Sequence, residues 1–275
     1  MKLAMMSYTM ARGVPPDKIS IPFMCALAKE LGMDGIDMVT TYGRDPREVR
    51  KIVDDHGLKI VCHTFFANVN SANPQERAAG MDAIKKGVET AAILGTDKVM
   101  MTTPGKAGLS REESRANYVA ALREAVPLAQ TAGITFTVEN YPGPVSPFVI
   151  SSDILDGASQ VPGLKLTFDN GNVLTGGEDP ALSFERTKDL AVHAHFKDWM
   201  LVPENQGMKG VDGRHYRGAL IGEGIVDQKA CLRAMKKCGY TGYINIEYEG
   251  NLYTPEAAVR KAAEYLRGLM KEIVA

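Results

Sequence analysis

The sequence is poor in cysteine and tryptophan, and neither sign of charge is in excess. Its 275 residues include one tryptophan and four cysteines, Cys25, Cys62, Cys231 and Cys238. None of the cysteines forms a C-x-x-C pair and nothing marks a secretory context, so a disulfide framework is not expected. They read as reduced thiols of a cytoplasmic protein. Lysine and arginine number 32 against 33 aspartates and glutamates, a net charge of −1. With no basic surplus to hold a nucleic-acid backbone, nucleic acid is not an expected partner. No apolar run approaches the roughly 20 residues needed to span a bilayer, so no membrane is expected either. The opening stretch MKLAMMSYTM is interrupted too quickly for a signal peptide and reads as a first strand. No linker or low-complexity tract divides the chain, and no G-x-G-x-x-G follows the first strand.

Short apolar runs alternate with longer amphipathic stretches from end to end. The runs begin near Lys2, Gly35, Leu58, Lys98, Ile134, Leu164, Leu190 and Gly242. The stretches between them place apolar residues three and four apart, as in Met81, Ile84, Val88, Ala91 and Ala92, on one helical face. Gly32, Gly57, Gly95, Gly133, Gly163 and Gly239 stand where helices should end. Ser110 with Glu113 fits a capping box, and Asn73-Pro74, Asp179-Pro180 and Thr254-Pro255 put proline first in a helix behind a capping side chain. Eight β-then-α units imply parallel strands with right-handed crossovers. Their number, the chain length and the missing dinucleotide fingerprint favour a closed barrel over an open doubly wound sheet. The expectation is a single-domain α/β fold, a (β/α)8 TIM barrel over residues 1–275. One long irregular piece, 199–218, follows the seventh strand and is expected to be a lid-like insertion.

Strand parity predicts where the chemistry lies. In ITFTVEN, Ile134, Phe136 and Val138 oppose Thr135, Thr137 and Glu139; in LKLTFDN, Leu164, Leu166 and Phe168 oppose Lys165, Thr167 and Asp169. In VHAHFKD, Val192, Ala194 and Phe196 oppose His193, His195 and Lys197; in YINIEYEG, Ile244 and Ile246 oppose Asn245, Glu247 and Glu249. The apolar set must face the helices, which turns the polar set into the lumen. Glu139, Asp169, His195 and Glu247 then sit at the carboxyl ends of consecutive strands, the rim where barrel active sites are built. Three converging carboxylates repel one another unless a divalent cation joins them. Two glutamates, an aspartate and a histidine suit Mn2+ first, with Mg2+, Co2+ and Zn2+ as alternatives. The competing reading pairs each acid separately with a lysine such as Lys165 or Lys197, or makes it a helix cap.

The segments FTVEN, LTFDNGN, HAHFKD and INIEYEG, in that order, resemble the sugar-phosphate isomerase/epimerase superfamily, the xylose-isomerase-like TIM barrels. That group includes ketose 3-epimerases, hydroxypyruvate isomerase, inosose isomerases and dehydratases, and endonuclease IV. The resemblance covers essentially the whole chain and implies that Glu139, Asp169, His195 and Glu247 are the metal ligands, with Glu139 and Glu247 doubling as the catalytic acid/base pair. At one position the chain departs from the ketose 3-epimerases, which place a histidine three residues after the aspartate; here Asn172 stands there.

Such a site implies a sugar or keto-polyol isomerase or epimerase that abstracts a proton next to a carbonyl through a metal-stabilised enediolate. Two bases on opposite faces of a carbon would invert it, one base moving a proton between neighbours would isomerise, and a β leaving group would make the enzyme a lyase or dehydratase of a keto-inositol or keto-sugar. An endonuclease would want a histidine-rich multi-zinc cluster, and only five histidines exist. Candidate substrate contacts are His63 at the end of the third strand, Asn172, Lys197 on the lumen face, Arg217 ahead of the turn Gly222-Glu223-Gly224, and Trp199, with Tyr141 as a second apolar wall. Lys209, Arg214 and Arg217 are alternative phosphate contacts, and His193, one layer deeper, is expected to be a hydrogen-bonded core residue. The expected partner is a small carbohydrate, and pairing through helix faces into a homo-oligomer is compatible with the sequence.

Overall fold

In the computed structural model, which describes residues 1–274, the alternation seen in the sequence becomes a closed wall of parallel strands ringed by helices. The elements run β1 (Lys2–Met6), α1 (Ser7–Ala11), α2 (Ile21–Glu30), β2 (Gly35–Val39), α3 (Pro46–Asp55), β3 (Lys59–Phe65), α4 (Pro74–Leu94), β4 (Lys98–Met101), α5 (Arg111–Thr131) and β5 (Thr135–Glu139). They continue through α6 (Ser151–Gln160), β6 (Lys165–Asp169), α7 (Asn170–Leu174), α8 (Pro180–Thr187), β7 (Ala191–Phe196), β8 (Asp198–Val202), β9 (Met208–Lys209), β10 (His215–Ala219), α9 (Gln228–Lys237), β11 (Tyr243–Ile246) and α10 (Pro255–Val274). Around the barrel the order is β1-β11-β7-β6-β5-β4-β3-β2, closed by β1 pairing with both β2 and β11.

Local chemistry sets the element ends as the sequence suggests. Ser110 Oγ accepts from Glu113 N at 3.0 Å while Ser110 N donates to Glu113 Oε2 at 2.7 Å. Asn73, Asp179 and Thr254 accept backbone N–H bonds from the first turns of α4, α8 and α10. The six glycines expected to end helices all have positive φ, from 59° at Gly32 to 87° at Gly163. The apolar strand faces pack outward: Ile134, Phe136, Leu166, Phe168, Ala194, Phe196 and Ile244 are all buried in the layer beneath the helices.

The structure corrects the sequence at 199–218. That segment is not irregular. β8, β9 and β10 form a three-stranded antiparallel sheet in the order β8-β10-β9, with Arg217 opposite Met200 and Gly218 opposite Trp199. Its own small cluster of Trp199, Tyr216 and Val226 is buried, so a segment too polar for the main core still folds around two aromatic rings. No described residue of 199–218 lines the cavity at the barrel mouth.

Asp153, at the start of α6, ties three segments of the outer layer together. Its carboxylate pairs with Arg111 and Arg115 of α5 and accepts from Val149 N at 3.1 Å and Ile150 N at 3.2 Å. Removing one partner of a largely buried network leaves the others unsatisfied. Asp153→Ala should therefore lower unfolding free energy by about 2–3 kcal/mol, less than a fully buried pair because both arginines stay partly exposed. Urea denaturation checks this; a loss under about 0.5 kcal/mol would mean that the network is redundant.

Candidate metal centre and active site

Four strand ends deliver the central side chains. Glu139 closes β5, Asp169 closes β6, His195 is the penultimate residue of β7, and Glu247 follows β11 with its N–H bonded to the Phe196 carbonyl at 2.9 Å. Each offers one ligand atom, and these atoms all lie within 4.8 Å of one another. One layer below, at the same parity, stand Thr137, Thr167, His193 and Asn245, all fully buried. The Thr137 and Thr167 hydroxyls meet at 2.7 Å. His193 is the hydrogen-bonded core residue that parity suggests, with Nε2 at 2.8 Å from Asp37 Oδ2.

The backbone around the site is held by side-chain amides. Asn140 brackets the Asp169 backbone, accepting from its N–H at 2.8 Å and donating to its carbonyl at 2.6 Å. Asp169 Oδ1 caps α7 through Gly171 N at 2.9 Å and Asn172 N at 2.7 Å. Asn170 and Gln228 grip both backbone groups of Lys197, and donate and accept between themselves at 2.6 Å. Gly171 permits the close approach: a Cβ there would lie 2.4 Å from Lys197 Cγ.

The electrostatics are those of a crowded, buried site. His195 Nδ1 lies 2.7 Å from Glu139 Oε1 and 3.7 Å from Glu247 Oε2, and its Nε2 lies 2.9 Å from Asp37 Oδ2. Lys197 Nζ sits 3.3 Å from Asp169 Oδ2, 3.1 Å from Glu247 Oε1 and 3.1 Å from Glu249 Oε2. Both competing sequence readings are therefore partly realised, since Asp169 caps a helix and pairs with a lysine while also joining the cluster. Lys165 takes no part; it donates to the Asp189 carbonyl. Burial pushes the Asp169 carboxyl up to about 7 and Glu247 up to about 8, with Lys197 pulling both back. Burial alone would depress the Lys197 ammonium, but Asp169, Glu247 and Glu249 hold it well above its ordinary value. Asp169 Oδ2, apart from its ion pair with Lys197, and Glu247 Oε2 are buried without a hydrogen bond. Two orphaned carboxylate oxygens beside an imidazole form a donor set that fits a divalent cation.

Beside the cluster lies a cavity of about 160 Å3, lined by Glu139, Glu247, Lys197, Asn172, Tyr141, Glu249 and an apolar wall that includes Met6, Val39 and Phe66. Asn172 is buried with neither amide atom bonded, so its hydrogen-bonding capacity is unused within the chain. Three expected contacts are elsewhere. His63 donates from Nδ1 to the Met38 carbonyl at 3.0 Å on the outer face of β3, beside Phe65, and Thr64 takes the lumen position instead. Trp199 packs on Tyr216 in the small sheet, its ring 5.9 Å from Lys197 Nζ. Arg217 projects to the exposed side of β10, because Tyr216 holds the inward position, and reaches Met200 Sδ. Parity does not reveal Asp37, the one acid inside the fully buried β2, whereas Glu249, in the lumen set by parity, does line the cavity.

A family model described as xylose isomerase-like TIM barrel matches residues 25–269. The chain belongs to that family. The chain is 23% identical over 261 residues to an inosose dehydratase of Lacticaseibacillus casei, covering 87% of this chain and 86% of that protein. It is 24% identical over 268 residues to the L-ribulose-5-phosphate 3-epimerase UlaE of Salmonella paratyphi A, covering 89% and 88%. The solved D-allulose 3-epimerase of Methylomonas sp. superposes with a TM-score of 0.79 at 17% identity, over 98% of each chain. Among the described residues of this family member, no helix is long and apolar enough to cross a membrane.

Two predictions arise from the geometry. Asp37 fixes the far nitrogen of His195, and loss of such a partner typically costs 10–100-fold in metal affinity. Asp37→Asn should weaken Mn2+ binding by about 10-fold or more in calorimetric titration; wild-type affinity would show that Asp37 does not orient the imidazole.

The second prediction concerns pH. Asp169, Glu247 and His195 all have folded values above their usual 3.8, 4.5 and 6.5; for His195, bonds to Asp37 and Glu139 outweigh the lowering by burial. Their protonation stabilises the metal-free fold fully below the unfolded values, and that contribution is lost as pH rises through the folded ones. A cation bound by the deprotonated ligands gains over the same range. The gap in melting temperature between Mn2+-loaded and metal-free protein should widen from about pH 5.5 to about pH 8.5. A gap that stays constant would argue against metal binding by this cluster.

Proposed function

We propose that the chain is a divalent-metal-dependent isomerase or epimerase of a keto-sugar or keto-polyol, acting by proton transfer at the carbon next to a carbonyl. The observation that carries this reading is the placement of Glu139 and Glu247. They come from strands separated by β6 and β7, both line one cavity, and their ligand atoms converge with those of Asp169 and His195. Glu139, Asp169, His195 and Glu247 would hold the cation, Mn2+ first and Mg2+, Co2+ or Zn2+ as alternatives. Bound there, it would supply Lewis-acid polarisation of the substrate carbonyl.

The chain's own groups do the rest. Each glutamate has two oxygens, so one can face the cluster while the other accepts or returns a proton. Glu247 would offer the orphaned Oε2 to the cation and keep Oε1, beside Lys197 Nζ at 3.1 Å, for the substrate proton. Lys197, with three carboxylates around it, keeps its proton and places a donor beside any oxygen that gains negative charge. The Asn172 amide and the Thr64 and Thr102 hydroxyls along the cavity wall are suited to substrate hydroxyls. Tyr141 and the apolar wall keep water from the reacting carbon. A dehydratase reading uses the same residues and is favoured by the similarity to inosose dehydratase; a product lighter by one water would select it.

Incubation with Mn2+ in D2O and a panel of ketoses, aldoses and keto-inositols tests the reaction. Deuterium should enter the carbon beside the carbonyl of one substrate, and EDTA should abolish the exchange. Glu139→Gln and Glu247→Gln should each slow it by about 10²–10⁴-fold, the usual contribution of a general acid or base. Exchange that is indifferent to both substitutions would sink the proposal.

A further inference from the structure

Barrels of this architecture frequently bind phosphate in the loops after the last two strands, where backbone N–H groups converge. In this chain the matching turn, 222–226, is filled by a carboxylate of the protein itself. Asp198 Oδ2 accepts from Gly222 N at 2.9 Å and Gly224 N at 3.2 Å. Its Oδ1 accepts from Val226 N at 3.0 Å and Trp199 N at 2.9 Å. Asp198 is 1% exposed. Amides that would otherwise greet an anion are already saturated by an internal one.

The side-chain cations are committed as well. Among the described residues lining the cavity, Lys197 is the one cation, and it is shared by Asp169, Glu247 and Glu249. Arg12, beside Glu249, donates to the Glu249 and Gly250 carbonyls and keeps its charge, whereas Arg214 pairs with Asp212 and Lys106 with Glu76 away from the residues that line the cavity. Arg217 lies on the far face of its strand. A divalent cation, Lys197 and Arg12 would offset four of the five carboxylates of Glu139, Asp169, Glu247, Glu249 and Asp37, leaving an excess of one negative charge. The loaded site would stay negative.

Resting on the reaction proposed above, we infer that the substrate is uncharged, a keto-sugar or keto-polyol without phosphate or carboxylate, and that Glu249 is the specificity-determining residue that repels anionic analogues. Glu249 is placed to do so: its carboxylate borders the cavity 3.1 Å from Lys197 Nζ, and its side chain is 24% exposed. Met6, Val39, Phe66 and Met100 line the cavity without a side-chain donor, and apart from Lys197 its donors, on Tyr8, Thr64, Thr102, Tyr141 and Asn172, are uncharged.

Matched ligands that cannot react separate this inference from the reaction. Ribitol and ribitol 5-phosphate would be titrated into Mn2+-loaded protein by calorimetry, with deuterium exchange on ribulose and ribulose 5-phosphate run in parallel. Ribitol should bind at least about 10-fold more tightly than its phosphate, because like charges in a confined site are strongly unfavourable. Glu249→Gln should narrow that gap to within about 3-fold. Ribitol 5-phosphate binding as tightly as ribitol would overturn the inference, as would a gap that Glu249→Gln leaves intact. A full gap with no exchange on either ketose would support charge selection while counting against the proposed reaction.

Discussion

Burying three carboxylates and an imidazole so that their ligand atoms lie within 4.8 Å of one another is costly for any fold. The rest of the site is arranged around that cost. Lys197 places one ammonium against two of the ligand carboxylates and Glu249, and His195 bridges Glu139 to Asp37. Neither arrangement satisfies every oxygen, since Asp169 Oδ2 and Glu247 Oε2 make no hydrogen bond. A cation resolves the conflict because it replaces mutual repulsion with common attraction, and it requires the ligands deprotonated. The same imbalance that destabilises the metal-free cluster is what would give it affinity.

Such a cluster works only if its members cannot relax apart, and the framework around it is correspondingly stiff. Parallel strands fix the spacing of Glu139, Asp169 and His195 through register, with Glu139 opposite Thr167 and Asp169 opposite His195. Amide side chains then lock the backbone just past the strand ends, Asn140 on Asp169 and the Asn170–Gln228 pair on Lys197. Candidate ligands carried on a barrel rim and locked from behind would lose little entropy on taking up a cation.

How much of this is legible in sequence depends on whether a strand has one polar face. β5, β6, β7 and β11 alternate cleanly, so period-two reasoning placed all four cluster residues, along with Lys197 and the deeper His193. β2 and β3 are buried on both faces for nearly their full length, and their pairing shifts register between Ile36 and Asp37. There parity carries no signal, so it assigns no face to His63 at the end of β3 and does not single out Asp37. The segment after β7 failed for another reason. A small antiparallel sheet needs only a few aromatic contacts, so its polar composition resembles a loop, and Trp199 and Arg217 could not be assigned to its faces without knowing that it was a sheet.

The dipeptide Lys197-Asp198 shows how the two halves of the structure are joined. Because β7 runs almost directly into β8, adjacent residues point to opposite sides. Lys197 turns into the cavity and meets the carboxylates, while Asp198 turns away and gathers the turn at 222–226. The β8–β10 sheet is thereby anchored one residue from the lysine, and Gly171 lets α7 press against Lys197 and Trp199 at once. A shift of the small sheet would have to pull on Asp198, and through a single peptide unit on Lys197. The position of the cavity's one lysine is therefore set as much by an acid that never reaches the cavity as by those that do.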